Sequence, residues 1–160
     1  MTRIAISGHR RLAPAVAELV DAAIRTELRP HAVDGQLVGL SCLADGADQL
    51  FARAILDLGG KLEAVIPAAQ YRDRLPDEAK PEYDELFAHA VAVHRCDFNE
   101  STAEAHMAAS IGMVEKADLL FAVWDGEPAR SYGGTADVVA YARKHGTPVT
   151  VIWPKGAWRA

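Results

Sequence analysis

Apolar residues along this chain recur with two alternating periods. Arg3 to Ser7, Gln36 to Ser41, Leu62 to Ile66, Val91 to Arg95, Leu119 to Trp124 and Val149 to Trp153 are short apolar runs of strand length, rich in β-branched residues. Between them apolar positions return at helical spacing. Val16, Leu19, Val20, Ala23 and Ile24 form one stripe after Pro14, a residue well placed in a first helical turn. Ala47, Leu50, Phe51, Ala54, Ile55 and Leu58 form a second, stopped by Gly59-Gly60. Tyr83, Leu86, Phe87 and Ala90 mark a short helix, Ala103, Met107, Ile111 and Val114 a longer one, and Ala136 to Lys144 the last. Ala68 to Lys80 is polar, charged and proline-bearing, and reads as a loop over the sheet edge.

Strands separated by helices pair in parallel through right-handed crossovers. The expected architecture is therefore α/β: one Rossmann-like three-layer domain over residues 1–160, with a mostly parallel sheet of five to six strands. No repeat or linker interrupts it. A chain of 160 residues, half of them hydrophobic, buries a core without disulfides. Cys42 and Cys96 fit no zinc spacing and read as free thiols packed as small hydrophobes. The N-terminus enters a strand directly, without a long apolar leader, and no apolar run reaches membrane-spanning length; a cytoplasmic location is the expectation. A net charge of −5 disfavours bulk electrostatic binding of nucleic acid, although the loop after the first strand is basic.

Chemistry concentrates in three loops at strand C-termini, where open α/β sheets gather their ligands. Ser7-Gly8-His9-Arg10-Arg11 combines a permissive backbone with donors and positive charge suited to phosphate or carboxylate. Ser41 to Asp48 carries Asp45 as a candidate N-cap, Gly46, and Asp48 in the first helical turn; either aspartate could instead accept a ribose hydroxyl. The third follows Leu119 to Asp125-Gly126 and contains Gly133-Gly134-Thr135. It offers amides and a hydroxyl at a helix N-terminus, a natural cradle for phosphate, with Asp137 in the same turn. Neither G-x-G-x-x-G nor the Walker pattern occurs, so no cofactor is expected. His89, His94 and His106 are too scattered to suggest a metal site. No G-x-S-x-G elbow is present.

Taken together, Ser7-Gly8-His9-Arg10, Ala44-Asp45-Gly46-Ala47-Asp48, Ile66-Pro67, Asp118 to Gly126 and Gly133-Gly134-Thr135-Ala136-Asp137 resemble the SLOG superfamily over nearly the whole chain. That superfamily groups DprA/Smf proteins, LOG-type lysine-decarboxylase-like proteins and YpsA-like proteins. The resemblance implies a Rossmann-like sheet that binds nucleotides or nucleotide-derived molecules, as a sensor or as an N-glycosidase acting on a nucleoside monophosphate. A third reading is a DprA-like module for single-stranded DNA or protein interaction, which the acidic balance makes the least expected. It also implies ligand contacts at Ser7, Gly8, His9, Arg10, Asp45, Gly46, Asp48, Pro67, Asp125, Gly133, Gly134 and Thr135. Homodimers are common among such proteins, and a homodimer or higher homo-oligomer is the expected assembly. LOG-type enzymes carry a glutamate three residues after the threonine of the glycine motif and an Arg-Lys pair on the preceding helix. Here those places hold Val138 and Ala109-Ser110. Asp137 lies one residue away, about 100° around the helix. A hydrolytic reaction would have to recruit Asp48, Asp125 or Asp137.

Overall fold

The computed structural model describes residues 1–160, apart from the side chain of Asp34. Six strands form a single parallel sheet: β1 (Thr2–Gly8), β2 (Leu37–Ser41), β3 (Lys61–Ile66), β4 (Ala92–Arg95), β5 (Leu119–Val123) and β6 (Val149–Ile152). Five helices connect them: α1 (Pro14–Leu28), α2 (Ala47–Asp57), α3 (Lys80–Ala88), α4 (Ala103–Lys116) and α5 (Thr135–His145). The strand order is β4-β3-β2-β1-β5-β6. The chain first builds outward from β1 to β4, then crosses back through α4 to add β5 and β6 on the other side. Right-handed crossovers in opposite directions place the helices on opposite faces. β1 and β5 are the strands at which the direction reverses, and a crevice opens above their C-terminal ends.

One face of the sheet packs α2 very closely. A Cβ on Gly39 would fall 2.5 Å from Ile55 of α2, and one on Gly8 would overlap Ala47 and lie 2.8 Å from Val123 Cβ. Glycine at these two places is what lets the helix seat on the strands. Phe51 of α2 then meets Phe121 of β5 edge-on, with ring centroids 6.1 Å apart. Ile4, Ile6, Val20, Ile24, Leu40 and Leu62 fill the core around them. On the opposite face α4 contributes Met107, Met113 and Val114, and α5 contributes Val138 and Ala142.

The periodic reading locates every strand and helix, with differences at their ends. Leu19, on the apolar stripe of α1, is 39% exposed. Trp124 lies outside β5, its indole N–H donating to the Glu127 carbonyl at 2.8 Å. The segment from Ala68 is more ordered than a bare loop. It holds two short 3₁₀ turns, at Arg72–Arg74 and Asp77–Ala79, and α3 already begins at Lys80. Main-chain bonds from Ala69 to Phe98 and from Gln70 to Asn99 pin its start, and Tyr71 is carried inward to 4% exposure. Met107 and Val114 are buried and Ile111 packs against the core, so this stripe of α4 is core-facing. No helix among the described residues is long and apolar enough to cross a membrane.

Candidate functional site

The crevice above β1 and β5 is a cleft of about 730 Å³. Its first wall is the β1–α1 loop. Ser7, Gly8, His9 and Arg10 all line the cleft, as the sequence suggested. The His9 amide bonds the Val123 carbonyl at 3.1 Å, continuing the strand pairing past the end of the sheet. Its ring Nε2 accepts from the Asp125 amide at 3.0 Å, and Trp153 packs edge-on against it. Burial, followed by the charge of Arg159, lowers the His9 pKa below the ordinary imidazole value, which agrees with a ring that accepts at Nε2. Arg11 follows with φ of 55°, a left-handed conformation uncommon outside glycine.

The β2–α2 loop forms the second wall, and there the expected capping is corrected. Gly46, not Asp45, occupies the N-cap of α2, with no side-chain cap bond. Asp45 lies one residue too early. Its Oδ1 accepts from Arg10 Nε and Nη2 at 3.0 and 2.7 Å, and its Oδ2 accepts from the Arg11 amide at 3.2 Å. Gly46 has φ of 88° and sits against the first loop, since a Cβ there would lie 2.6 Å from the His9 carbonyl. That carbonyl accepts from the Ala47 amide at 3.2 Å. Gly46 thus joins two loops and does not line this cleft, whereas Asp48 does. Asp48 takes a long bond of 3.4 Å from the Ala44 amide. Burial, reinforced by Asp45, pushes its carboxyl up to about 7 against the opposing pull of that amide and Arg10.

The third wall is the N-terminus of α5. Gly133 (φ 87°), Gly134 and Thr135 line the cleft. Asp137 turns back to accept from the Gly133 amide at 2.9 Å, which holds the glycine turn in place. Among the described residues the amides of Thr135 and Ala136, in the first helical turn, have no main-chain acceptor. Val138, at the place of the LOG-type glutamate, is 1% exposed in the core. Asp125 does not line the cleft. It is held by the Glu127 amide at 3.0 Å and lies 3.2 Å from His9 Nε2. Pro67 does line it.

Several lining residues escaped the sequence reading because they come from segments without a motif. Tyr71 enters from the β3–α3 segment and His106 from α4, their rings meeting edge-on. His106 shares a 2.7 Å hydrogen bond with Ser101 Oγ, and burial and Arg10 lower its pKa. Arg130 comes from the loop before the glycine pair and Arg159 from the end of the chain. With Arg10 and Arg11 they bring four arginines to one cleft. The total charge of −5 therefore does not describe the site, and it gives no ground for excluding nucleic acid. Among the described residues no three His, Cys, Asp or Glu side chains converge as a metal site.

No family model matches this chain, and no curated protein does. Solved structures do. The DNA processing protein A (DprA) of Streptococcus pneumoniae superposes with a TM-score of 0.69 at 20% identity, over 98% of this chain and 52% of that one. At this identity the likeness shows a shared Rossmann-like fold. DprA of Helicobacter pylori, whose structure describes a single-stranded DNA binding mode, gives 0.69 at 18% identity over 98% of this chain and 67% of that one. The molybdenum cofactor binding protein of Rippkaea orientalis gives 0.62 at 14% identity, over 96% and 77%. The chain thus spans about half the length of the S. pneumoniae protein whose fold it shares.

Proposed function

We propose that this cleft binds a nucleotide or a nucleotide-derived small molecule. One observation carries the reading: the unpartnered first-turn amides of α5 and four arginines converge at the point where the strand order reverses. Amides at a helix N-terminus and guanidinium groups are matched to phosphate oxygens by geometry and by charge. Asp48, beside them, is suited to a sugar hydroxyl or a base edge, and Tyr71 and His106 add two aromatic rings to the lining. The similar molybdenum cofactor binding protein supports small-molecule carriage by this architecture.

A thermal-shift series with AMP, cyclic nucleotides, ADP-ribose and NAD tests the reading. A ligand at 100 times its Kd stabilises the folded state by about 2.7 kcal/mol, a rise of a few degrees in Tm. Arg10→Ala and Arg130→Ala should each weaken binding about tenfold, the loss of one charge-assisted contact. Absence of any shift across the series would reject nucleotide binding.

Asp48 favours a second reading, N-glycosidic hydrolysis of a nucleoside monophosphate. A carboxyl that titrates near neutrality can protonate a departing base while water adds to the anomeric carbon. Release of free base, abolished in Asp48→Asn with binding retained, would establish it.

A further inference from the structure

A second groove of about 690 Å³ lies beyond the β1–α1 loop, between α1, α2 and the 3₁₀ turn before α3. It shares Arg11 and Leu12 with the cleft, so the two depressions adjoin across a single ridge. Their linings differ in chemistry. Leu12, Ala17, Leu50 and Pro76 give the groove apolar walls. Of its charges, Arg53 pairs with Glu82 and Glu85, and Asp45 with Arg10, while Glu78 and Arg11 have no ion-pair partner among the described residues. The Gln49 side-chain N–H group is spent on the Leu43 and Ala79 carbonyls, which leaves its oxygen as an acceptor. Such a groove suits a flat uncharged ring, not a phosphate.

The ridge between them carries the opposite chemistry. Arg11 is exposed, its backbone is held in the left-handed region, and its amide is tied down by Asp45. Among the described residues its guanidinium has no hydrogen-bond or ion-pair partner. An unpartnered cation on a strained main chain, standing between an anion-binding cleft and an apolar groove, is placed to meet a second phosphate.

Resting on the nucleotide reading of the cleft, we propose that the ligand is two-headed. One nucleoside and the first phosphate occupy the cleft, the second phosphate meets Arg11 at the ridge, and the second nucleoside lies in the groove. The substrate class is a dinucleoside diphosphate, not a mononucleotide.

Isothermal titration with AMP and with diadenosine diphosphate separates this inference from the reading beneath it. Diadenosine diphosphate should bind at least about tenfold more tightly than AMP, because its second half binds at high effective concentration. Ala17→Trp, which fills the groove, should erase that advantage while AMP affinity stays within about twofold. Pro76→Trp blocks the same groove from another element and serves if the first variant does not fold. Arg11→Ala should weaken diadenosine diphosphate more than AMP and so reduce the advantage. Equal affinity for the two compounds in the unaltered protein, or an advantage that survives a filled groove, would overturn the proposal and leave nucleotide binding intact. Binding of neither compound would overturn both.

Discussion

Asp48 and His9 both line one cleft, and burial acts on them with opposite sign. The carboxyl, raised to about 7, holds a proton in the folded state that it has lost in the unfolded chain above about pH 4. Its contribution to stability therefore falls as pH rises from about 4 to 7 and is level above that. His9 and His106, both lowered, act the other way: they withdraw stability as pH falls below the unfolded value of about 6.5. In the unaltered protein the two effects oppose each other. Asp48→Asn should unmask the histidines, so that stability rises between about pH 5 and 7 and exceeds that of the parent at pH 8 by on the order of 2 kcal/mol. That figure is well below the full linkage value because Asp48 keeps some solvent contact. Urea unfolding at four pH values checks it, and parallel curves for parent and variant would refute the assignment. At this scale the sequence pointed to Asp48 through its place in a helical first turn. It gave no sign of Tyr71 or His106, whose roles arise from where a long connection and a distant helix come to rest.

Among the elements, the contact of α2 with β1 decides where the cleft opens. Gly8 and Ala47 touch there, and the Ala47 amide bonds the His9 carbonyl just above. Gly8→Ala should cost about 2 kcal/mol through overpacking, in the range seen when a methyl is forced into a filled core. Ala47→Gly should be mildly destabilising alone, by up to about 1 kcal/mol, yet partly rescue Gly8→Ala in the double variant. Strictly additive losses in denaturant unfolding would mean that the overlap is relieved elsewhere. The sequence showed Gly8 as a glycine at a strand end, which suits close approach to a ligand as well as to a helix. The structure shows that the helix makes the approach. Gly46 has a similar history. It lies in a ligand-facing loop by sequence, yet its left-handed backbone serves contact with the neighbouring loop. Gly133, by contrast, does line the cleft, steadied by Asp137.

Over the whole molecule, charge is distributed against its total. An acidic protein with four arginines at one cleft attracts anions locally and repels a long polyanion elsewhere. Oligothymidylate should accordingly bind weakly at low salt and be released by about 200 mM salt, with a shallow dependence that reflects few phosphate contacts. Fluorescence anisotropy across a salt series measures this. Tight retention at high salt would instead favour a single-stranded DNA function, like that described for the similar H. pylori protein. The apolar runs were legible at this scale because a parallel sheet covered on both faces demands them. Strand order was not, since nothing in a strand's own residues states which neighbour it will pair with.

The sequence by itself determined the alternation of strands and helices, the parallel sheet, and the three loops that gather at its C-terminal edge. Those follow from periodicity, crossover handedness and the chemistry of glycine at strand ends, all of which act locally. Only the tertiary structure decided which loop residues reach the cleft. It turned Asp45 to Arg10, set Asp125 beside His9, and left Asp48 lining the cleft. It also brought Arg130 and Arg159 to residues more than a hundred positions earlier in the chain. The reason is physical: a side chain's partner is fixed by packing between distant segments, and its charge state by the burial that this packing creates.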